Sequence, residues 1–476
     1  MHCSLPSNPY GKWTWSHLTA NEDLEQDLLL HLQSIGKYVH ALDLIHYLAH
    51  PDIMARWGLK KGISLTTAQR WMKELGYQWR LEPKGQYADG HEHEDVVQYR
   101  QTIFLPTWTT IECNMRNWTK DGEEENPTPG RCDIGWFHDE SIFYENDRRK
   151  RVWWPKLKSA TPYKKGEGAS LMVADVFSPD HGWLQSKDGA RLARVIFKPG
   201  ANRDGYFTNE EILEQANSIM DILDEYSEDN HMVTYNNAKM HTKRPPDAPS
   251  ARKTLKGIPH NGSNWGMEVT VKDASGNPKK MKVQMRGARF SDGHEQPLYF
   301  PDDHPEHPGK FKGMAVILEE RGYGDMSKVR AECKGFKCLT GVTRCCCCHM
   351  LFNEPDFMNV ESLLKAAYRK CGYKVIFLPK YHCKLNPIEQ CWGYSKHEYR
   401  QYPPAAGEEA LTQNVLKALD SVPLKSMRRF AIHARRFTDA YRKGLNGKQA
   451  AWAGKKYCSH RVLPKSLMQD LNSAKL

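Results

Sequence analysis

Apolar and polar positions alternate with a period near two over Asp133–Glu145, the pattern of strands with one buried face. The stretch reads as two strands meeting at Asp139 and Glu140, so that Asp139 leaves a strand end and points into a cleft. Gly168–Phe177 and Arg194–Phe197 add further strands. The period then lengthens to that of a helix. Thr208 and Glu211 form a Thr-x-x-Glu capping box, and Ile212, Ala216, Ile219, Met220 and Leu223 share one face, predicting a helix over 209–226 packed on a sheet. A strand ending at Asn236 follows. Residues 265–300 read as a polar hairpin, with Met267–Val271 and Met281–Met285 flanking a turn at Ser275–Pro278, and Lys312–Arg321 as a helix stopped by Gly322. Val375–Leu378 is a last short strand closed by Pro379. Asn386 and Pro387 then supply an N-cap and a first-turn proline, placing Glu389 in the first turn of a helix reaching 399. Read locally, Asn386 and Glu389 form a capping box. This order of elements predicts an α/β class with a mixed sheet.

The first hundred residues carry helical periodicity only. Leu24, Leu28, Leu32 and Ile35 define one helix and His40–Ala49 a second. A third, capped by Ser64 or Thr66, has Ala68, Trp71, Met72 and Leu75 as its core face and ends at Gly76. It leaves Thr67, Gln69, Arg70 and Lys73 outward, the donors and acceptors that a recognition helix presents to base edges and phosphates. At the other end, Lys425–Arg461 holds 11 Lys or Arg against one acid, Asp439. Met427, Phe430, Ala434, Phe437 and Tyr441 take one helical face there, leaving Arg428, Arg435 and Arg436 for a solvated surface or a phosphate-tracking one. The 476-residue chain has a formal charge of +11 and 39% hydrophobic residues, enough for several cored domains. It has no apolar run long enough to cross a membrane, which excludes a helical membrane protein.

The most specific stretches are Asp133–Glu145 with Asp139, His231–Arg244 with Asn236-Asn237-Ala238 and His241, and Val375–Trp392 with Leu-Pro-Lys-Tyr-His-Cys-Lys-Leu-Asn-Pro-Ile-Glu389-Gln. They resemble the three acidic motifs of the DDE superfamily endonucleases, the mariner-type transposases, in their fungal branch. Thr67–Tyr77 and Tyr87–Arg100 resemble that branch's DNA-binding segment and connector, and the likeness covers roughly residues 60 to 465. Two departures stand out: Lys384 replaces an acid of the third motif, and Asn236 stands where the family has its second aspartate.

The resemblance implies a ribonuclease H-like catalytic domain with a helix-turn-helix-like DNA-binding domain before it. The boundaries are 1–105 for the helical region, 106–131 for a linker that includes the acidic run Asp121–Gly130, and 132–400 for the catalytic domain with an insertion at about 245–350. A basic helical region follows at 401–476. It further implies two magnesium or manganese ions held by Asp139, Asn236 and Glu389, double-stranded DNA at element ends as substrate, a homodimer and a nuclear location. Asparagine offers a neutral oxygen where hard cations need charge, so the implied DNA cleavage and strand transfer are impaired. Asp175, on another strand, is a candidate substitute ligand. The alternative is a transposase-derived DNA-binding protein without catalysis.

Thirteen cysteines remain to be placed. No leader-like charged and apolar segment opens the chain, so a reducing compartment is expected. Cys333, Cys338, Cys345, Cys348 and His349, with His382 and Cys383 further on, supply zinc-type ligands, and the pattern reads as a structural zinc site or as reduced thiols. A zinc-stabilised protein-interaction module is the third reading.

Overall fold

A computed structural model describes residues 22–35, 39–77, 90–119, 121–125, 130–147, 166–260, 264–272, 278–339, 342–403, 405, 407–457, 463–464 and 466–474. The predicted turn at 275–277 lies outside them. The chain divides into two compact units, 1–87 and 88–476.

The first unit contains α1 (Glu22–Ile35), α2 (Ala41–Leu48), α3 (Pro51–Arg56) and α4 (Leu65–Glu74). Leu24, Leu28 and Leu32 pack with Leu44, Leu48, Ala68, Trp71 and Leu75 in one core. Ile35, expected in that core, is exposed. The Ser64 hydroxyl caps α4 by accepting from the Thr67 N–H at 3.2 Å, and Gly76 ends the helix at φ +84°. The short α3, opened by Pro51, was not foreseen. It is six residues long, with no buried residue to leave a periodic trace.

The second unit begins earlier than the predicted boundary at 105. Here α5 (Glu94–Tyr99), a π turn at Arg100–Phe104 and α6 (Leu105–Glu112) run on directly, and Phe104, Leu105, Trp108 and Ile111 are buried in the main core. The segment taken for a linker is therefore held by apolar burial. Part of the acidic run also pairs, because β1 (Asn117–Trp118) meets β2 (Glu124–Glu125).

The main sheet contains β3 (Asp133–Tyr144), β4 (Ser170–Ser178), β5 (Gly182–Trp183), β6 (Val195–Phe197) and β7 (Asn230–Tyr235). The strands β8 (Met267–Lys272) and β9 (Pro278–Val283) form a separate hairpin, and β10 (Lys374–Phe377) closes the main sheet. Strand order is β10-β7-β3-β4-β5, with β6 also on β4. Strands β3, β7 and β10 are parallel, while β4 runs against β3 and against β5 and β6. An antiparallel meander extended by two parallel crossover strands is the ribonuclease H-like arrangement. Asp133–Tyr144 is one strand rather than two, because β4 pairs with it continuously from Phe137 to Tyr144.

Helices cover both faces. On one, α7 (Asn209–Leu223) buries the five predicted residues against Ile134, Trp136, Val176 and Val233, and Thr208 with Glu211 completes its capping box. After α8 (Gly313–Glu320), α9 (Cys347–Phe352) and α10 (Pro355–Met358), α11 (Leu363–Lys370) joins that face through Leu364 and Tyr368. The opposite face carries α12 (Ile388–Tyr399), α13 (Glu408–Asp420), α14 (Leu424–Arg442), α15 (Gly447–Lys456) and α16 (Leu467–Ser473), packed with α6 on Phe137, Phe143, Leu171 and Val173. The basic C-terminal helices thus complete the main core. Met427, Ala434, Phe437 and Tyr441 are buried as their spacing predicts.

Candidate metal centre

Register brings the first two motif residues together. Strands β3 and β7 are parallel with Phe137 opposite Thr234, so two residues further on Asp139 and Asn236 become neighbours just beyond the last paired rung. Asp139 thus sits in the middle of its strand but at the end of its pairing with β7. The Asn236 Nδ2 donates to Asp139 Oδ1 at 3.1 Å, and Asn236 Oδ1 accepts from the Ala238 N–H at 3.2 Å. These two bonds fix the amide orientation, since reversing it would set two oxygens against each other and lose the Ala238 bond.

The third motif arrives on α12. Asn386 does not cap that helix. Its side chain donates instead to the His138 carbonyl at 3.0 Å, pinning the helix start to β3. The capping-box reading of Glu389 therefore fails: among the described residues its carboxylate accepts no hydrogen bond and forms no ion pair. Trp392, three residues on and so on the same helical face, donates from Nε1 to Asp139 Oδ2 at 3.1 Å. Glu389 is bonded to neither Asp139 nor Asn236, yet its charge reaches the site. Burial, then repulsion from Glu389 and Glu140, pushes the Asp139 carboxyl well above its usual range. The Glu389 side chain reaches solvent, but the protein around it removes enough water to raise its pKa too; Lys396 opposes that shift and Glu140 adds to it.

Behind this lies a buried network. His241 Nδ1 meets the Asn236 carbonyl at 3.0 Å and its Nε2 meets Glu140 Oε1 at 2.9 Å. His138 Nε2 meets Gln215 Oε1 at 2.9 Å. Burial lowers the His138 pKa to about 4, keeping that ring neutral. Burial works against the Glu140 carboxylate, but the hydrogen bond from His241 helps to outweigh it and lower its pKa. Glu140, Trp392 and Lys396 were missed as site residues. The last two stand at three and seven residues beyond Glu389, a helical spacing that could have found them.

Asp139 and Glu389, two acids raised by desolvation and like charge, are in chemistry the donors one divalent cation takes, and its charge would reverse both effects. They do not fit a second. A second ion needs an anionic oxygen at position 236, and an amide nitrogen faces Asp139 there. Asp175 supplies no replacement, because Arg194 forms an ion pair with it and the Val176 N–H bonds its other oxygen at 2.8 Å.

The remaining candidates are distributed as follows. Gln69, Arg70 and Lys73 are exposed on α4, with Arg70 3.9 Å from Glu74, while the Thr67 hydroxyl is 3.0 Å from that of Ser64. The three C-terminal arginines each have partners within the fold. Arg428 stacks 3.5 Å from the Trp118 ring and donates to the Pro179 carbonyl at 3.0 Å. Arg435 donates to Asn117 at 2.7 Å, and Arg436 is buried against the Gly454 carbonyl at 3.4 Å. The cysteine assignment changes as well. Cys333, Cys338 and Cys345 gather with Cys346, whereas Cys348 is buried in the adjoining apolar core and His349 bonds Cys345 through Nδ1 at 3.1 Å. His382 and Cys383 are not part of this group, and the His382 ring is held by Arg100 at 2.9 Å.

No protein-family model matches the chain, and no curated protein is similar to it in sequence. Solved structures that resemble it in arrangement include a Mos1 mariner paired-end complex with Mn, at TM-score 0.40 and 9% identity over 86% of this chain and 80% of that one. Others are a Mos1 transposase paired-end complex with the left transposon end (TM-score 0.39, 9% identity, 86% and 79% of the two chains) and a pre-cleavage Mos1 transpososome (0.39, 9%, 94% and 90%). These are likenesses of element arrangement alone.

Proposed function

We propose that the chain is a DDE-type polynucleotidyl transferase of mariner-like ancestry, acting on double-stranded DNA, with its cleavage centre impaired at Asn236. The observation that carries this reading is the pairing of Asp139 with Asn236 beside Glu389: two acids of the centre persist, and the third position is an amide that donates a hydrogen bond to the first. A divalent cation bound between Asp139 and Glu389 would supply Lewis-acid stabilisation of charge on a phosphodiester. The chain's own groups do the rest. Trp392 and Asn236 orient Asp139, Asn386 fixes α12 against β3, and His241 holds the Asn236 backbone. DNA contact is assigned to α4 through Gln69 and Lys73, and a nuclear location and a homodimer belong to the same proposal.

The geometry also favours a second reading, binding without cleavage. Both Asp139 oxygens already have protein donors, so that carboxylate is satisfied with no cation. The two readings separate in one experiment, in which the full chain is titrated onto duplex DNA at rising salt and incubated with supercoiled plasmid and Mn²⁺. Slow nicking that disappears in Glu389→Gln supports the impaired enzyme. Salt-sensitive binding with no nicking supports the binder, and absence of duplex binding would overturn both.

A further inference from the structure

The insertion between β7 and α11 has a hydrophobic core of its own. Met267, Met285, Leu298, Phe311, Ile317 and Phe357 belong to a cluster separate from those flanking the main sheet. Its elements are short: the hairpin β8–β9, the eight-residue α8 and the six-residue α9. Small bodies with little regular structure commonly need a cross-link or a metal to hold them.

At the edge of this core four thiols face one another. Among the described residues, the sulfur atoms of Cys333, Cys338, Cys345 and Cys346 all lie within 4.8 Å of one another, and all four cysteines are free of disulfides. Tetrahedral zinc with four thiolates at ~2.3 Å sets its sulfurs about 3.8 Å apart, so a small inward movement completes the site. The chain is shaped for this approach. Gly335 and Phe336, between the first two cysteines, have φ of 65° and 57°, and a left-handed turn is uncommon for phenylalanine. The Cys347 and Cys348 N–H groups bond the Arg330 and Ala331 carbonyls at 3.0 and 2.9 Å, bringing the second cysteine pair alongside the segment that leads into Cys333. The His349 N–H donates to Cys346 Sγ at 3.4 Å, the backbone contact that commonly steadies a thiolate ligand. The neighbouring cysteines are turned elsewhere: Cys347 Sγ lies 3.9 Å from the Val329 carbonyl, and Cys348 is in the core.

We propose that Cys333, Cys338, Cys345 and Cys346 hold one structural zinc ion that fixes the insertion. Four thiols lose four protons on binding, giving a tetrathiolate of net charge −2, and no electrons are transferred. Four thiolates leave no open coordination position, so the ion is structural rather than catalytic. Basic side chains cluster nearby in sequence at Lys328, Arg330, Lys334, Lys337 and Arg344, and Arg252 lies 5.3 Å from the Phe336 ring, which suits that negative charge.

The test measures zinc in the full chain purified under reducing conditions without added metal. About one zinc per chain is expected, retained in Cys348→Ser and lost in Cys346→Ser and Cys338→Ser. Where a serine variant fails to fold, the unmodified chain exchanged with Co²⁺ decides: an intense thiolate-to-cobalt charge-transfer band with the features of tetrahedral four-sulfur coordination supports the site. A reduced chain that takes up neither zinc nor cobalt overturns it, as does zinc that survives in Cys346→Ser and disappears in Cys348→Ser.

Discussion

Replacing Asn236 by aspartate converts a hydrogen bond into a repulsion. The Asn236 Nδ2 and Asp139 Oδ1 are 3.1 Å apart. Two unit charges at that separation repel by ~5 kcal/mol at an effective dielectric of 20. The pair can avoid the repulsion by keeping one proton. Holding a carboxyl of ordinary pKa near 3.9 protonated costs about 4 kcal/mol at pH 7 and about 1.5 kcal/mol at pH 5. The sign follows from linkage: the folded variant holds a proton that the unfolded chain has released, so its stability falls as pH rises above the unfolded carboxyl pKa. Asn236→Asp in EDTA is therefore expected to be less stable than the natural chain by roughly 2–4 kcal/mol at pH 7, with a smaller deficit at pH 5. A divalent cation should reverse this, because the added carboxylate completes its ligand set; at a concentration of 100 Kd the cation returns about 2.7 kcal/mol. Urea denaturation at both pH values, with EDTA or Mn²⁺, reads the stability, and plasmid nicking in Mn²⁺ reads the chemistry. If the lost ligand charge is worth about 4 kcal/mol at the transition state, nicking rises about a thousandfold in the variant. A natural chain that nicks as fast as Asn236→Asp would refute the impairment, and a variant whose stability ignores both pH and Mn²⁺ would refute the contact on which the reasoning rests.

Acid should destabilise the chain through His138, whose folded pKa of about 4 lies below its ordinary 6.5. Its contribution is complete above pH 6.5 and lost on descending toward pH 4, up to about 3 kcal/mol, so His138→Asn should show a shallower fall in urea midpoint over that window. The two basic regions should respond differently to truncation. Lys73→Ala is expected to weaken duplex binding and lower the salt slope by about one, whereas Arg436→Ala should cost about 1–3 kcal/mol of stability and leave the salt slope unchanged. A gel-shift series at several salt concentrations, run beside thermal melts, checks both.

Much of this architecture can be read from local pattern. The helix after Thr208 is one case, since its cap and its buried face lie within a single short segment. Other features depend on partners distant in sequence. Asn386 has the local signature of a helix cap, yet its side chain spends its N–H on the His138 carbonyl, a bond no window around 386 contains. The arginines of α14 look like a nucleic-acid surface until Trp118, Asn117 and Gly454 are placed against them. Strand β3 reads as two because an Asp-Glu pair resembles a turn, whereas β4 supplies partners on both sides of it. At the candidate metal centre, the resemblance to the family's acidic motifs singles out Asp139, Asn236 and Glu389, which local pattern alone does not. It could not show that Asn236 would turn its nitrogen toward Asp139, which depends on the register between β3 and β7.

The ends of the insertion meet at a closed neck. Arg244 donates to the Phe357 and Met358 carbonyls at 3.0 and 3.2 Å, and the Leu363 N–H bonds the Lys243 carbonyl at 2.9 Å. A detour that leaves and returns through one gate has little mechanical purchase on the sheet. Its length can change without altering the β3–β7 register that sets Asp139 beside Asn236, because its hairpin β8–β9 is a separate sheet. The long interval between the second and third motifs is thus closed at its base, so strain within it reaches the main sheet only through the short segments at Lys243–Arg244 and Phe357–Leu363.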